Sequence, residues 1–240
     1  MGILHVFDMD GTLLRGTTAS LQVARQLGNV AELIALETQF STGEIDAIGY
    51  AATVHALWQG LTAEPVAAAF AASPWVGGID EVCADIRRRG ERSVVITLSP
   101  DFFATLLLER GFDEVVASRF PPLPSTAPLD PSGLLAPADK VTVVDELLAR
   151  YGIPRSRCVA YGDSMSDAPL FRHLDATVAV NADHHLIGIA AASYQGDDLT
   201  EAYALGRSLL LPRPRAAEAG ADSRAGAAGP DSGTGVLPAG

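Results

Sequence analysis

The feature that most constrains the fold is a regular alternation of short apolar runs with longer helical patterns. Five runs rich in aliphatic and β-branched residues predict strands at 3–7, 93–98, 115–117, 158–161 and 177–180. Helical periodicity follows at 79–89, 102–110, 140–151, 168–173 and 199–210. Strands that alternate with helices are usually joined in parallel. The pattern therefore predicts an α/β fold, a doubly wound, mostly parallel sheet with helices on both faces.

A stretch of helix interrupts this alternation directly after the first strand. Residues 14–76 contain no strand pattern but four helical segments, near 18–27, 30–40, 44–59 and 62–72. We therefore predict that 14–76 is an all-helical cap, inserted into a core formed by 1–13 and 77–211. Residues 121–137 contain six prolines, which predicts an irregular excursion with a minor hairpin.

Composition limits the remaining possibilities. Residues 212–240 are mostly Pro, Ala, Gly and Ser, which predicts a disordered tail. A net charge of −12 argues against nucleic acid or an anionic membrane as the main partner. Cys83 and Cys158 are too few for a disulfide framework, and the N-terminus lacks the basic region of a signal peptide. We expect a soluble, cytoplasmic protein.

Polar side chains are concentrated where the predicted strands end. The carboxyl ends of parallel strands meet at one edge of a sheet, where ligands bind. We therefore expect these side chains to lie together, with the lysine that opens the helix at 140–151. They are Asp8, Asp10 and Thr12 after the first strand, Thr97 and Ser99 at the end of the second, Asp163, Ser164, Ser166 and Asp167 after the fourth, and Lys140.

Each of these residues also has an ordinary explanation. Asp10-Gly11 is a common turn pair, Thr97 is an acceptable strand residue, and a helical lysine usually lies in solvent. Their joint occurrence at several strand ends favours a site instead. Converging carboxylates repel each other unless a cation neutralises them, and oxygen ligands without a His or Cys cluster favour Mg²⁺. Lys140 is the one lysine beside sixteen arginines, and its compact ammonium is not equivalent to a guanidinium.

The motifs FDMDGT and GDSMSD, with Thr97 and Lys140 between them, resemble the haloacid dehalogenase-like (HAD) superfamily. The resemblance covers about residues 1–205 and implies a Rossmann-like core with a helical cap of the C1 type. It implies that Asp8 is a nucleophile that takes up the phosphoryl group. Asp10 would protonate the leaving oxygen, then activate water, and should therefore have a raised pKa.

The same resemblance implies roles for the remaining motif residues. Lys140 would neutralise charge on Asp8, and the phosphoryl group would be bound by Thr97, Ser99 and Gly11. Mg²⁺ would be held by the Asp8 carboxylate, the Asp10 main-chain carbonyl and Asp163, with Asp167 behind them. An acid at position 10 is typical of the phosphatases and phosphomutases of this superfamily. We expect a phosphatase; a sugar-phosphate mutase or phosphotransferase and a non-catalytic binding protein are the alternatives.

The cap sequence most resembles the phosphoserine phosphatase branch, but the residues that bind the phosphoserine ammonium and carboxylate in that branch are missing. By this resemblance a Glu, a Phe and an Arg are replaced by Thr17, Ala47 and Val54. A zwitterionic substrate would then lack partners for its charges. We therefore expect a small phosphorylated metabolite other than phosphoserine, such as a sugar phosphate or a natural-product intermediate. Candidate substrate contacts in the cap are Thr17, Tyr50, His55 and Trp58.

Overall fold

Six parallel strands form one sheet at the centre of the protein. The computed structural model describes residues 2–210. The predicted tail at 212–240, and the last predicted core residue, 211, lie outside these described residues. The strands are β1 (Leu4–Phe7), β2 (Arg92–Pro100), β3 (Glu114–Ser118), β4 (Cys158–Gly162), β5 (Ala176–Val180) and β6 (Ala192–Tyr194). Their order is β3-β2-β1-β4-β5-β6, the doubly wound arrangement that the alternating pattern predicted.

The described part of the chain contains nine α-helices, which pack on the sheet or form the cap. Helices α5 and α9 contact each other on one face, and α7 and α8 contact each other on the opposite face. Four helices, α1 to α4, lie between β1 and α5. The helices are α1 (Ala19–Leu27), α2 (Val30–Ser41), α3 (Ala47–Leu57), α4 (Ala63–Ala71), α5 (Ile79–Arg88), α6 (Asp101–Ala104), α7 (Asp139–Tyr151), α8 (Ala168–His173) and α9 (Leu199–Leu209).

Strand β1 is central and buried on both faces. All four of its residues are buried, and it pairs with β2 on one side and β4 on the other. Leu4 and Val6 point into the apolar cluster on the α7 and α8 face, whereas Phe7 points into the opposite cluster. This placement brings the residue that follows β1, Asp8, to the middle of the carboxyl edge.

The cap helices share one apolar core with the sheet. Val23, Val54 and Trp58 belong to the same buried cluster as Phe7. Helix α1 begins at Thr18, whose side chain accepts a hydrogen bond from the Leu21 N–H. The four helices lie where the sequence predicted them, and the domain boundaries at 13/14 and 76/77 stay a prediction.

The proline-rich excursion does not contain the predicted hairpin. Within the described residues it holds no strand, only a 3₁₀ turn at Pro131–Gly133, because proline cannot donate to a strand ladder. It pairs with the cap instead: Gly60 N donates to the Ser125 carbonyl (2.8 Å), and Ser125 N donates to the Leu61 carbonyl (2.9 Å). The excursion therefore fastens the cap to the core.

Two further elements differ from the sequence prediction. Strand β6 was missed because it has only three residues, and these lack an apolar alternation. The helix predicted at 102–110 is divided into α6 and a 3₁₀ segment at Thr105–Arg110. Among residues 2–210, no helix has the length and apolar character needed to cross a membrane.

Candidate active site

The carboxyl ends of β1, β2 and β4 face the cap across a cavity of about 390 Å³. Successive strands are added on one side of β1 as far as β3, and on its other side from β4 to β6. The order therefore changes direction between β1 and β4, and open α/β sheets bind ligands at such a point. Asp8, Asp10, Thr97, Ser99 and Asp163 all line this cavity. The structure thus brings together the residues that the sequence placed at separate strand ends.

Lys140 joins two of the buried carboxylates. Its Nζ lies 2.6 Å from Asp8 Oδ1 and 2.7 Å from Asp167 Oδ1. Lys140 and Asp8 are only 1% and 5% exposed. Burial alone would lower the pKa of Lys140, but Asp167 and Asp8 outweigh this effect and raise it. Lys140 is therefore a fixed positive charge against Asp8.

Asp163 and Asp167 are positioned by the turn that follows β4. Asp167 Oδ2 accepts hydrogen bonds from the main-chain N–H groups of Asp163 (3.0 Å) and Ser164 (3.3 Å). Asp163 Oδ1 accepts a hydrogen bond from Thr12 at 3.3 Å. Carboxylate oxygens of Asp8, Asp163 and Asp167 all lie within 4.8 Å of one another. The turn therefore presents two carboxylates to Asp8.

Gly11 leaves the space that Asp163 needs. Its φ is +81°, and a Cβ there would lie 2.0 Å from Asp163 Oδ2. The Gly11 N–H donates to the Leu14 carbonyl at 2.9 Å, so this donor is already used within the loop. Gly11 lines the cavity, and its predicted contact with the phosphoryl group stays a prediction. Its role here is to let the loop approach Asp163.

The Asp10 carboxylate turns away from this cluster. Its Oδ1 accepts a hydrogen bond from Ala19 N (2.6 Å), and its Oδ2 accepts from Ser99 Oγ (2.5 Å) and Thr97 Oγ1 (3.4 Å). Because both hydroxyls point to Asp10 in this structure, their predicted contact with a phosphoryl group stays a prediction. The first turn of α1 and the end of β2 thus fix the orientation of Asp10.

Burial raises the pKa of the three cavity aspartates that follow β1 and β4. The pKa of Asp8 is raised to about 7 by burial and by repulsion from Asp167, and Lys140 partly opposes the shift. The pKa of Asp163 is raised to about 10 by burial and by repulsion from Asp8 and Asp167. Burial also raises the pKa of Asp10, although the hydrogen bond from Ser99 acts against it.

These shifts mean that Lys140 does not neutralise the cluster fully. A divalent cation would stabilise the ionised carboxylates, and their oxygen-only donor set suits Mg²⁺. The residues present therefore fit the predicted ion.

The structure separates the four predicted cap contacts into two pairs. Thr17 and Tyr50 line the cavity. His55 and Trp58 do not: His55 Nε2 lies 3.0 Å from the Ala127 carbonyl, and Trp58 is buried against Phe102. His55 and Trp58 pack the cap against the core in this structure, and their predicted contact with the substrate stays a prediction.

Sequence reasoning missed a cap carboxylate that lines the cavity, Glu37 on α2. A signal was present in the helical pattern. Leu33, Leu36, Glu37 and Phe40 follow the spacing of a single helix face, and Leu33 and Leu36 are buried. A glutamate on the apolar face of a helix is unusual, and Glu37 lies there because this part of the face lines the cavity.

Comparison with known proteins gives the same fold and the same family. A family model of haloacid dehalogenase-like hydrolases matches residues 5–172. A phosphoserine phosphatase from Idiomarina loihiensis is 24% identical over 200 residues, which are 82% of this chain and 90% of that protein. A substrate-bound phosphoserine phosphatase complex has a TM-score of 0.73 at 21% identity, covering 85% of this chain and 98% of its own.

A HAD-family hydrolase from Salmonella enterica serovar Typhi has a TM-score of 0.74 at 20% identity, covering 83% of this chain and 69% of its own. At these identities the solved structures establish the fold. The matched segment contains both FDMDGT and GDSMSD, and it spans more than half of the chain. The chain belongs to the haloacid dehalogenase-like hydrolase family.

Proposed function

We propose that this protein is an Mg²⁺-dependent phosphatase that hydrolyses a phosphate monoester of a small metabolite through an aspartyl-phosphate intermediate. The observation that carries the proposal is the different environment of two neighbouring carboxylates. Both carboxylates are buried and have raised pKa values, but the ammonium of Lys140 contacts Asp8 and favours its ionised form, whereas Asp10 receives hydrogen bonds from the Ala19 N–H and the Ser99 hydroxyl. Two carboxylates in different environments can divide nucleophilic and acid–base roles.

The first step uses both carboxylates. An Asp8 oxygen attacks phosphorus, the phosphorus–ester oxygen bond breaks, and the proton of Asp10 goes to the leaving oxygen. Its raised pKa supports Asp10 as the proton donor. The ammonium of Lys140 stays against Asp8 and balances negative charge as the phosphoryl group is transferred.

The second step regenerates the enzyme. Asp10, now ionised, accepts a proton from water as that water attacks phosphorus and releases Asp8. When bound, Mg²⁺ would be held by Asp8, the Asp10 carbonyl and Asp163, and it supplies positive charge for the phosphoryl oxygens. Cap closure over the cavity would exclude water in the first step.

The substrate is expected to lack a carboxylate. Among the described residues, none of those lining the cavity is an arginine or a lysine. This agrees with the sequence argument against phosphoserine, although two of the three relatives named above are phosphoserine phosphatases. Sugar phosphates and other small monoesters without a carboxylate meet this condition. Free, buried Cys83 and Cys158 support a reducing compartment, the cytoplasm.

The test is hydrolysis of p-nitrophenyl phosphate with and without Mg²⁺. Wild type and the exposed-site control Asp175→Asn should be active only with Mg²⁺, and Asp8→Asn should be inactive. Activity that survives Asp8→Asn would exclude the nucleophile assignment. Isomerisation of a sugar phosphate without release of phosphate would instead identify the mutase alternative.

A further inference from the structure

Glu37 is a cavity carboxylate that the proposed reaction does not use. It extends from α2 into the cavity and accepts a hydrogen bond from the Thr18 hydroxyl. On the same helix face, Leu33 and Leu36 are buried in the cap. The side chain is therefore held in position at the cap side of the cavity, opposite the carboxyl edge of the sheet.

Glu37 has no cationic partner among residues 2–210. Thr18, Asp10 and Tyr50 are the groups that influence its ionisation, and none of them carries a positive charge. Burial, with a smaller contribution from the Asp10 charge, raises the pKa of Glu37 to about 7. Holding a partly buried carboxylate without a counter-charge costs free energy. A positive group supplied by a ligand would remove that cost.

Two aromatic side chains line the cavity near Glu37. The rings of Phe40 and Tyr50 are 5.5 Å apart between centroids and are inclined at 44°. The faces of aromatic rings attract organic cations, and an aromatic pair with a carboxylate is a typical arrangement for binding a quaternary or primary ammonium. The cap thus offers both components of a cation site.

The rest of the described lining gives a substrate anion no comparable partner. Lys140 is fully buried against Asp8 and Asp167 and does not line the cavity. His185 lines it, but its Nδ1 lies 2.9 Å from Asp183 Oδ2. A carboxylate next to the ester would therefore meet carboxylates, hydroxyls and aromatic rings, with no lysine or arginine in the lining to balance its charge.

We propose that the substrate is a phosphate monoester that carries an organic ammonium group and no carboxylate, with the cation bound by Glu37 between Phe40 and Tyr50. This inference rests on the proposed phosphatase function and specifies its substrate class. It differs from the sugar phosphate named in the sequence analysis, because that expectation did not include Glu37. Glu37 acts here as a specificity-determining residue.

The experiment compares two esters of nearly equal shape. Phosphocholine carries a trimethylammonium group, and 3,3-dimethylbutyl phosphate carries a neutral tert-butyl group in its place. The ammonium also makes choline the better leaving group, but this difference is the same for every variant, so the change in the kcat/KM ratio between wild type and variant isolates recognition of the cation. We expect wild type to favour phosphocholine by about tenfold or more.

Variants then assign the preference to Glu37. Glu37→Gln keeps the shape of the side chain and should lower the ratio, mainly by raising KM for phosphocholine. Glu32→Gln, at an exposed glutamate of the same helix, should keep the wild-type ratio. Phe40→Leu should give an intermediate ratio. Circular dichroism establishes that each variant is folded.

The outcomes separate this inference from the proposed function. Hydrolysis of p-nitrophenyl phosphate with equal kcat/KM for the two matched esters would overturn the ammonium inference alone. Hydrolysis of none of the three esters would overturn the proposed function. A wild-type preference that survives Glu37→Gln, or a higher kcat/KM for phosphoserine than for phosphocholine, would also overturn the inference.

Discussion

Lys140 Nζ and Asp8 Oδ1 lie 2.6 Å apart, and both side chains are buried. The pair links the start of α7 to the end of β1, two segments separated by more than one hundred residues. Lys140 also contacts Asp167 at 2.7 Å, so one ammonium is shared by two carboxylates. Its position makes the proposed chemistry dependent on a single cationic side chain.

Replacing Lys140 should therefore reduce the rate more than it affects binding. We expect Lys140→Met to lower kcat by about 10²–10³-fold, the cost typical of losing one charge-stabilising donor. Lys140→Arg should not restore activity, because a guanidinium is broader than an ammonium and the site is closed. Steady-state kinetics with p-nitrophenyl phosphate measure both effects. Restoration of full activity by arginine would contradict the requirement for a compact charge.

Mg²⁺ should stabilise the folded protein through the carboxylate cluster. Repulsion contributes to the raised pKa values of Asp8 and Asp163, so a bound cation relieves it. At a concentration of 100 times Kd, a ligand adds about 2.7 kcal/mol to the free energy of unfolding. Thermal unfolding with Mg²⁺ or EDTA should show a rise in Tm for wild type and for Asp175→Asn. Asp163→Asn should lose most of this rise, and an unchanged rise would exclude Asp163 as a ligand.

Gly11→Ala should damage the site through a steric contact. The new Cβ would lie 2.0 Å from Asp163 Oδ2, at a backbone φ of +81°. Gly43 provides a matched control, since its φ is +74° but a Cβ there would meet nothing within 4 Å. Both alanine variants should lose about 1–2 kcal/mol of stability from the backbone conformation. Gly11→Ala alone should also lose activity and Mg²⁺ affinity, as kinetics and titration calorimetry would show. Equal activity in the two variants would contradict the steric account.

The buried side chain of His5 should lower the free energy of unfolding at acidic pH. It is buried in β1, with Nδ1 3.3 Å from the Tyr161 hydroxyl and Nε2 3.1 Å from Glu91. Burial lowers the pKa of His5, although Glu91 opposes the shift. In the unfolded chain the His5 imidazole is therefore protonated as the pH falls below about 6.5, whereas in the folded chain it stays neutral to a lower pH. This contribution is complete above pH 6.5 and is lost as the pH falls towards the folded pKa.

Urea unfolding at pH 7.5 and 5.5 measures this contribution of His5. The loss of unfolding free energy between the two pH values should be smaller in His5→Gln than in wild type. His184→Gln, at an exposed histidine, should behave like wild type. An equal loss in all three proteins would show that His5 does not titrate differently in the folded and unfolded states.

The sequence predicted the parts of the fold that depend on local pattern. Apolar runs gave five of the six strands, and capping and periodicity gave the cap helices. Strand β6 escaped because its pairing with β5 depends on tertiary contacts rather than on its own three residues. The conformation of the proline-rich excursion also depends on tertiary contacts. Ser125 forms backbone hydrogen bonds with the cap, and no local sequence pattern predicts them.

The candidate site was predictable where motifs follow strands. Asp8, Asp10 and Asp163 could be placed at one edge because parallel strands end together. The cap was harder, since a helix has several faces and the sequence does not show which one meets the sheet. Trp58 and His55 were assigned to the cavity but pack the cap, whereas Glu37 was overlooked although it interrupts an apolar face.

The central claim is that Asp8 becomes phosphorylated during turnover, and its most direct test is chemical trapping. Asp10→Asn should slow release of the phosphoryl group, while p-nitrophenolate can leave without receiving a proton. We would react this variant with p-nitrophenyl phosphate and Mg²⁺, quench it in acid, reduce it with borohydride and analyse the peptides by mass spectrometry. The account predicts homoserine at position 8, the product of reducing an aspartyl phosphate. Release of p-nitrophenolate with Asp8 recovered unmodified would contradict it.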